Sequence, residues 1–137
     1  MAWRLFATKR SSSSIRHQRG HAAERLAGAF LRRQGYDIEA TNVRFPVGEI
    51  DLVARESGVL CFVEVRSTSS RQWGGPLASV TDRKRRRLIR AARWYLHRTR
   101  LAPSESRFDV VAIIWSSAGA QPAIELIRGA FDASDGL

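Results

Sequence analysis

Apolar and polar residues alternate along two neighbouring stretches, Gly48–Ala54 and Leu60–Arg66, and a period of two reads as a pair of strands. Glu56-Ser57-Gly58-Val59 between them carries the Ser-Gly signal of a tight turn, so the strands are expected to form a hairpin. Alternation places Glu49, Asp51 and Val53 on one face and Ile50, Leu52 and Ala54 on the other. By the same rule Phe62, Glu64 and Arg66 lie opposite Cys61, Val63 and Val65. With Ser57-Gly58 as the whole loop, the register sets Asp51 across from Glu64 and Glu49 across from Arg66.

Upstream, Ala23, Leu26, Ala27 and Phe30 recur at helical spacing, which predicts a helix over about Gln18–Gln34 stopped by Gly35. Tyr36–Arg44 predicts a first strand, closed by a turn over Phe45–Gly48. Downstream, Thr81 as N-cap and Asp82 in the first turn open a second helix running to about Arg98. Its apolar stripe is Leu88, Ala91, Ala92, Tyr95 and Thr99. Arg107–Trp115 is nearly continuous in apolar residues, as in a central strand covered on both faces. Asp109 near its start is expected to be structural, paired with Arg107 or an N-terminal amide. Ala123–Arg128 alternates like an edge strand, and the remainder to Leu137 reads as a polar tail around Phe131. The order is helix, three strands, helix, two strands. A single domain is expected over residues 18–131, between a disordered basic tail (1–17) and a C-terminal tail (132–137).

With 137 residues the chain can bury one core without staples. No apolar run approaches the roughly 20 residues a membrane span needs. Met1–Ile15 mixes Arg4, Lys9 and Arg10 with a serine run and has no apolar core, so no signal peptide is expected and the protein is placed in the cytoplasm. Cys61 is the single cysteine, which excludes disulfides and thiolate zinc sites.

Charge sharpens the picture. Lys+Arg number 23 against 13 Asp+Glu, a net +10 that favours a polyanionic partner, nucleic acid ahead of an anionic membrane surface. Apart from Lys9 and Lys84 every basic side chain of that pair of types is arginine. Arginine suits bidentate phosphate contacts, although a genome-wide codon bias gives the same preference. Arg83, Arg86, Arg87, Arg90, Arg93 and His97 fall opposite the apolar stripe of the second helix with almost no acid among them. Such a face is either a solvated surface or a phosphate contact, and its self-repulsion favours phosphate. Lys84 falls on the stripe itself, at the N-terminal rim, with Arg85 on its flank. In the Ser- and Gly-rich loop Ser67–Ala78, Arg71 and Trp73 precede Gly74-Gly75-Pro76. There the Trp either stacks on nucleic acid or anchors the loop, and the anchor is the favoured reading.

Two carboxylates facing each other at roughly 5 Å repel unless something positive lies between them. Asp51, Glu64 and Arg66 form the pattern Asp-x(12)-Glu-x-Arg. Hard oxygen donors from adjacent strands suit Mg²⁺ or Mn²⁺, and the carbonyl of Val65 can add a third protein ligand. Glu24 sits at the border of the first helix's stripe with no basic residue at i+3 or i+4. It is either a fourth ligand or a surface acid. A metal in this setting activates water and stabilises charge on a phosphate. Arg66 would hold the phosphate, and Lys84 is the one amine placed to reach the same rim. Acids on a hairpin are commonly inert, but a phosphodiester substrate explains the carboxylates and the arginines together.

Six stretches carry a resemblance: Arg19-Gly20-His21-Ala22-Ala23-Glu24, Gly35-Tyr36, Asn42-Val43-Arg44, Gly48-Glu49-Ile50-Asp51-Leu52-Val53, Phe62-Val63-Glu64-Val65-Arg66 and Arg107-Phe108-Asp109-Val110-Val111. Over residues 19–131 the chain resembles the YraN family of bacterial proteins, itself similar to archaeal Holliday-junction resolvases within the restriction-endonuclease-like superfamily. The resemblance implies an α/β fold with a restriction-endonuclease-like αβββαβ core, its central mixed sheet flanked by helices. It implies Asp51 and Glu64 as metal-binding acids and Glu24 as the helix-one carboxylate. The implied function is a Mg²⁺- or Mn²⁺-dependent endonuclease-like protein that binds and cleaves structured or branched DNA. The alternative is a catalytically inactive nucleic-acid-binding module of the same fold. Arg66 stands where the superfamily's pattern ends in lysine, and Lys84 is the candidate replacement amine. A homodimer is expected, because resolvase-like proteins act as dimers.

Overall fold

The computed structural model describes residues 12–69, 79–116 and 121–136. In chain order they form α1 (Ser12–Arg33), β1 (Asp37–Phe45), β2 (Gly48–Glu56), β3 (Val59–Thr68), α2 (Asp82–Thr99), β4 (Ser106–Ile114) and β5 (Ala123–Phe131), closed by a short 3₁₀ turn over Ala133–Gly136. The strands make one mixed sheet in the order β1-β2-β3-β4-β5. Only β3 and β4 run parallel, because α2 carries the chain back across the sheet between them. This is the α/β architecture expected from the sequence, consistent with a restriction-endonuclease-like core. No helix among the described residues is long and apolar enough to cross a membrane.

The hairpin follows from its turn. Ser57 and Gly58 both take positive φ, 50° and 82°, the two-residue geometry that matches the twist of the flanking strands. Pairing then runs from Glu56↔Val59 to Leu52↔Val63, and the next step in that register is Asp51 opposite Glu64. The ladder stops at Leu52, so the expected pairing of Glu49 with Arg66 does not form. Glu49 pairs instead with Arg44 on β1, whose Nε lies 3.7 Å from its Oε1.

The simple alternation expected along β2 also fails at one point. Val53 and Ile50 both belong to the core under α2, whereas Leu52 and Ala54 belong to the core under α1. Ile50 therefore faces the opposite layer from Leu52, not the same one. The break lies at Asp51 and across from it at Asn42, which takes φ 49° between the pairs Thr41↔Leu52 and Val43↔Ile50. Asn tolerates this left-handed backbone better than most residues. A pleat interrupted there turns Asp51 toward the edge shared by both layers.

The helices pack much as their stripes predict, with local corrections. α1 begins at Ser12, ahead of the expected Gln18, and the remaining tail, residues 1–11, lies outside the described residues. Ala23, Ala27 and Leu31 are fully buried, and Phe30 is only half-buried. Thr81 caps α2 by accepting the Lys84 N–H at 3.3 Å, and Ile89 joins the expected Leu88, Ala91, Ala92 and Tyr95 in the core. Phe131 is no tail residue. It ends β5, its ring stacks on Phe108 at 4.9 Å, and the Arg85 guanidinium covers it at 5.5 Å.

Asp109 is structural, as expected, and pairs with Arg107. Fully buried, it accepts from Arg107 Nε at 2.7 Å, Arg107 Nη2 at 3.0 Å, the Tyr36 hydroxyl at 2.8 Å and the Gly129 N–H at 2.9 Å. Arg107 also donates to Glu56 at 2.8 Å, and Arg128 grips both oxygens of Glu56 at 2.8 and 2.7 Å. The Arg128 hydrogen bond, with Arg107 behind it, holds the Glu56 carboxyl down at about 2. Burial pushes the neighbouring Cys61 thiol up to about 12, so it is no nucleophile.

α2 lies tight against β2 at Gly48. A Cβ built there would lie 2.9 Å from the Arg87 carbonyl oxygen, which is backbone and cannot step aside without moving the helix. Gly48→Ala is therefore expected to lower stability by about 1–3 kcal/mol, read as a fall in melting temperature. An unchanged melting temperature would mean that the helix and hairpin part without cost.

Candidate metal centre

Where β2 leaves the hairpin ladder, three elements bring acids to one place. Glu24 comes from α1 and Glu49 and Asp51 from β2, and one carboxylate oxygen of each lies within 4.8 Å of the other two. Glu64 on β3 joins the group from the far side, where it lines one cleft together with Glu49 and Asp51. Asp51 is further oriented by the Val65 N–H, which donates to its Oδ2 at 2.8 Å.

Electrostatics here run against ionisation. Burial, and then the charge of Glu64, push the Asp51 carboxyl up to about 8, while the Val65 N–H works the other way. Burial also raises Glu64, opposed by the neighbouring Asp51 carboxyl and by the charges of Arg66 and Lys84. Arg66 Nη1 stands 3.8 Å from Glu64 Oε1, and its Nε donates to the Ser79 hydroxyl at 3.2 Å. Lys84 is depressed, first by burial and then by Arg66, with Glu64 and Asp51 opposing.

Clefts open on both sides of β2. One of about 250 Å³, toward α1, is lined by Gly20, His21, Glu24, Asn42, Arg44, Glu49 and Asp51. Another of about 220 Å³, toward α2, is lined by Gly48, Glu49, Asp51, Glu64, Lys84, Arg87 and Leu88. Glu49 and Asp51 thus touch both, a consequence of the broken pleat. A larger hollow of about 400 Å³ continues from Glu24 along α1 past Arg25 and Arg32.

Of the site residues expected from sequence, Glu24, Asp51, Glu64, Arg66 and Lys84 lie together, with Val65 bound to Asp51 through its amide. Arg83, Arg86, Arg87, Arg90 and Arg93 are all exposed on α2, and Arg87 reaches the cleft. Arg71 and Trp73 lie outside the described residues. Glu49 is the residue that sequence reasoning did not assign. Its signal was present, since alternation had put it on the Asp51 face, but the false pairing with Arg66 made it look neutralised.

The donor set fits a hard divalent cation. All side-chain donors are carboxylate oxygens, they come from three elements, and burial together with the charge of Glu64 disfavours ionisation of Asp51. A divalent cation among these oxygens offsets their mutual repulsion. Mg²⁺ and Mn²⁺ suit such oxygen-only sites, and they leave room for further oxygen ligands from the clefts.

A sequence model of the uncharacterised protein family UPF0102 matches residues 23–113. A UPF0102 protein of Desulfosudis oleivorans is 44% identical over 119 residues, covering 87% of this chain and 94% of that protein. One from an Anaeromyxobacter species is 48% identical, covering 85% and 86% respectively. A UPF0102 protein of Pseudomonas aeruginosa is 43% identical over 127 residues, covering 92% of this chain and 99% of its own length.

Proposed function

The chain belongs to the uncharacterised protein family UPF0102, and we propose that it is a metal-dependent, endonuclease-like protein acting on structured or branched DNA. The observation that carries this reading is the carboxylate cluster: Glu24, Glu49 and Asp51 offer oxygens within 4.8 Å of one another, Glu64 lines the same cleft, and arginines surround the rim. Glu24, Asp51 and Glu64 would hold Mg²⁺ or Mn²⁺, joined by the Val65 carbonyl. That carbonyl points to the same strand edge as the Val65 N–H that grips Asp51. The ion supplies Lewis-acid stabilisation of charge developing on a phosphate.

The protein's own side chains divide the remaining work. Arg66, tethered by Ser79 and permanently charged, orients a phosphate oxygen but cannot exchange a proton. Lys84, with its depressed pKa, is the amine at the rim able to give or take one. Arg83, Arg86, Arg87, Arg90 and Arg93 grip the sugar–phosphate backbone, a task also expected of Arg71 and Trp73. A homodimer belongs to the same reading, since two such sites can act on two strands.

The test is incubation of four-way junction, flap and single-stranded DNA with Mn²⁺ or Mg²⁺, with and without chelator. Nicking that the chelator abolishes supports the reading. Binding without product on every substrate supports instead the inactive nucleic-acid-binding module, which Arg66 in place of lysine favours. Either way the arginine face should show in the salt dependence. Arg86→Gln and Arg93→Gln are each expected to flatten the slope of log affinity against log salt by about one. Slopes equal to wild type would remove those side chains from the interface.

A further inference from the structure

Among the described residues, Trp94 is the one large apolar side chain left exposed, with 46% of its surface open. Its ring lies on α2 against that of Phe45, at 5.7 Å and a tilt of 41°. An aromatic from the β1–β2 corner therefore backs it while the rest faces outward. Positions 84, 87, 91, 94 and 98 form one ridge of the helix, spaced by alternating steps of three and four. That ridge carries Lys84 and Arg87, which line the cleft with Asp51 and Glu64, dips at the buried Ala91, and resumes with Trp94 and Arg98. Lys84 and Trp94 are separated by roughly 15 Å along the axis. Arg87, Arg90 and Arg98 around the ring are all exposed, and Asp82 is the helix's sole acid.

An open aromatic ring between guanidinium groups offers its face to a base and its flanks to phosphates. Bases inside a duplex are stacked on one another and do not present that face. A second copy of this chain is disfavoured at this patch, since a two-fold contact here would set the arginine-rich face of α2 against itself. We infer that Trp94, backed by Phe45 and flanked by Arg87, Arg90 and Arg98, is a stacking platform for an unpaired base of a strand that runs along α2 to the carboxylate cluster. This rests on the nucleic-acid reading of the α2 face and not on cleavage.

The experiment measures fluorescence anisotropy of labelled oligo(dT), oligo(rU) and a blunt DNA duplex in metal-free buffer, with wild type, Trp94→Leu and Trp94→Phe. Trp94→Leu keeps apolar bulk against Phe45 and is expected to weaken single-strand binding roughly five- to a hundredfold, with duplex binding changed by less than about twofold. Trp94→Phe should retain most of the affinity. As a second measurement, oligo(dT) should quench part of the wild-type tryptophan emission, and that part should vanish in Trp94→Phe. Comparing oligo(dT) with oligo(rU) shows which sugar the platform accepts. Single-strand binding unchanged in Trp94→Leu, an equal loss on duplex and single strand, or no single-strand binding by wild type would each overturn the inference. A failed cleavage assay with the tryptophan effect intact would count only against the carboxylate reading.

Discussion

Asp51→Asn is expected to reduce divalent-dependent cleavage by at least about a hundredfold and, in the same protein, to raise the melting temperature at pH 8. Both effects have one cause. Burial and Glu64 raise the Asp51 carboxyl from 3.8 to about 8, so the folded chain holds this proton more tightly than the unfolded chain does. Stability must then fall as pH rises through that interval, because the unfolded state releases the proton first. Asparagine keeps the shape and removes the titration. Its advantage over wild type should therefore be absent near pH 4, grow toward pH 8 and level off above it. Mn²⁺ should do for wild type what the substitution does for the variant, raising the wild-type melting temperature more at pH 8 than at pH 5 and leaving the variant unmoved. An Asn variant that cuts as well as wild type, or that melts lower at pH 8, would place the metal elsewhere.

How much of this could be read beforehand depends on whether the signal is local. Ser57-Gly58 is a complete local instruction, and a two-residue turn fixes the register of everything paired beyond it. Hence Asp51 opposite Glu64 was legible. Thr81 and Asp82 are likewise a local cap, and α2 starts where they say. The irregularity at Asn42 and Asp51 is different, because it arises between two strands and neither one states it. Period-two reading carried Ile50 straight through it onto the wrong layer, and ran the β2–β3 ladder on to a Glu49–Arg66 pair that does not form, which hid the fourth acid of the cluster. Phe131 was hidden for a similar reason. Its polar neighbours suggest a tail, and only the ring of Phe108 on the adjoining strand makes it core. Trp94 sits on the charged side of its helix, where periodicity counts it as an exception; only its backing by Phe45, far away in sequence, makes the exposure meaningful.

At the other end of β2 from the acids, Asp109→Ala is expected to destabilise the fold by about 3–5 kcal/mol. The side chain is fully buried and takes four hydrogen bonds, so its removal strands the Tyr36 hydroxyl, the Gly129 amide and two donors of Arg107. Through Arg107 and Arg128 the same group reaches Glu56, so β4, β5, the turn end of β2 and the start of β1 are tied at one corner. Asp109→Asn keeps the volume but not the charge facing Arg107, and should fall between wild type and alanine in denaturant melts. Glu56 adds a pH signature. Its carboxyl is held at about 2 in the fold, below the ordinary 4.5, so its contribution is complete above about pH 4.5 and is lost as pH falls through 2. Glu56→Gln should therefore narrow its deficit against wild type across that acid window. Because this corner holds none of the clustered acids, the Asp109 variants should keep wild-type metal response per folded molecule below their melting temperatures. A variant that melts normally, or that stays folded yet loses its response to Mn²⁺, would show that the corner serves the carboxylate cluster and not the fold.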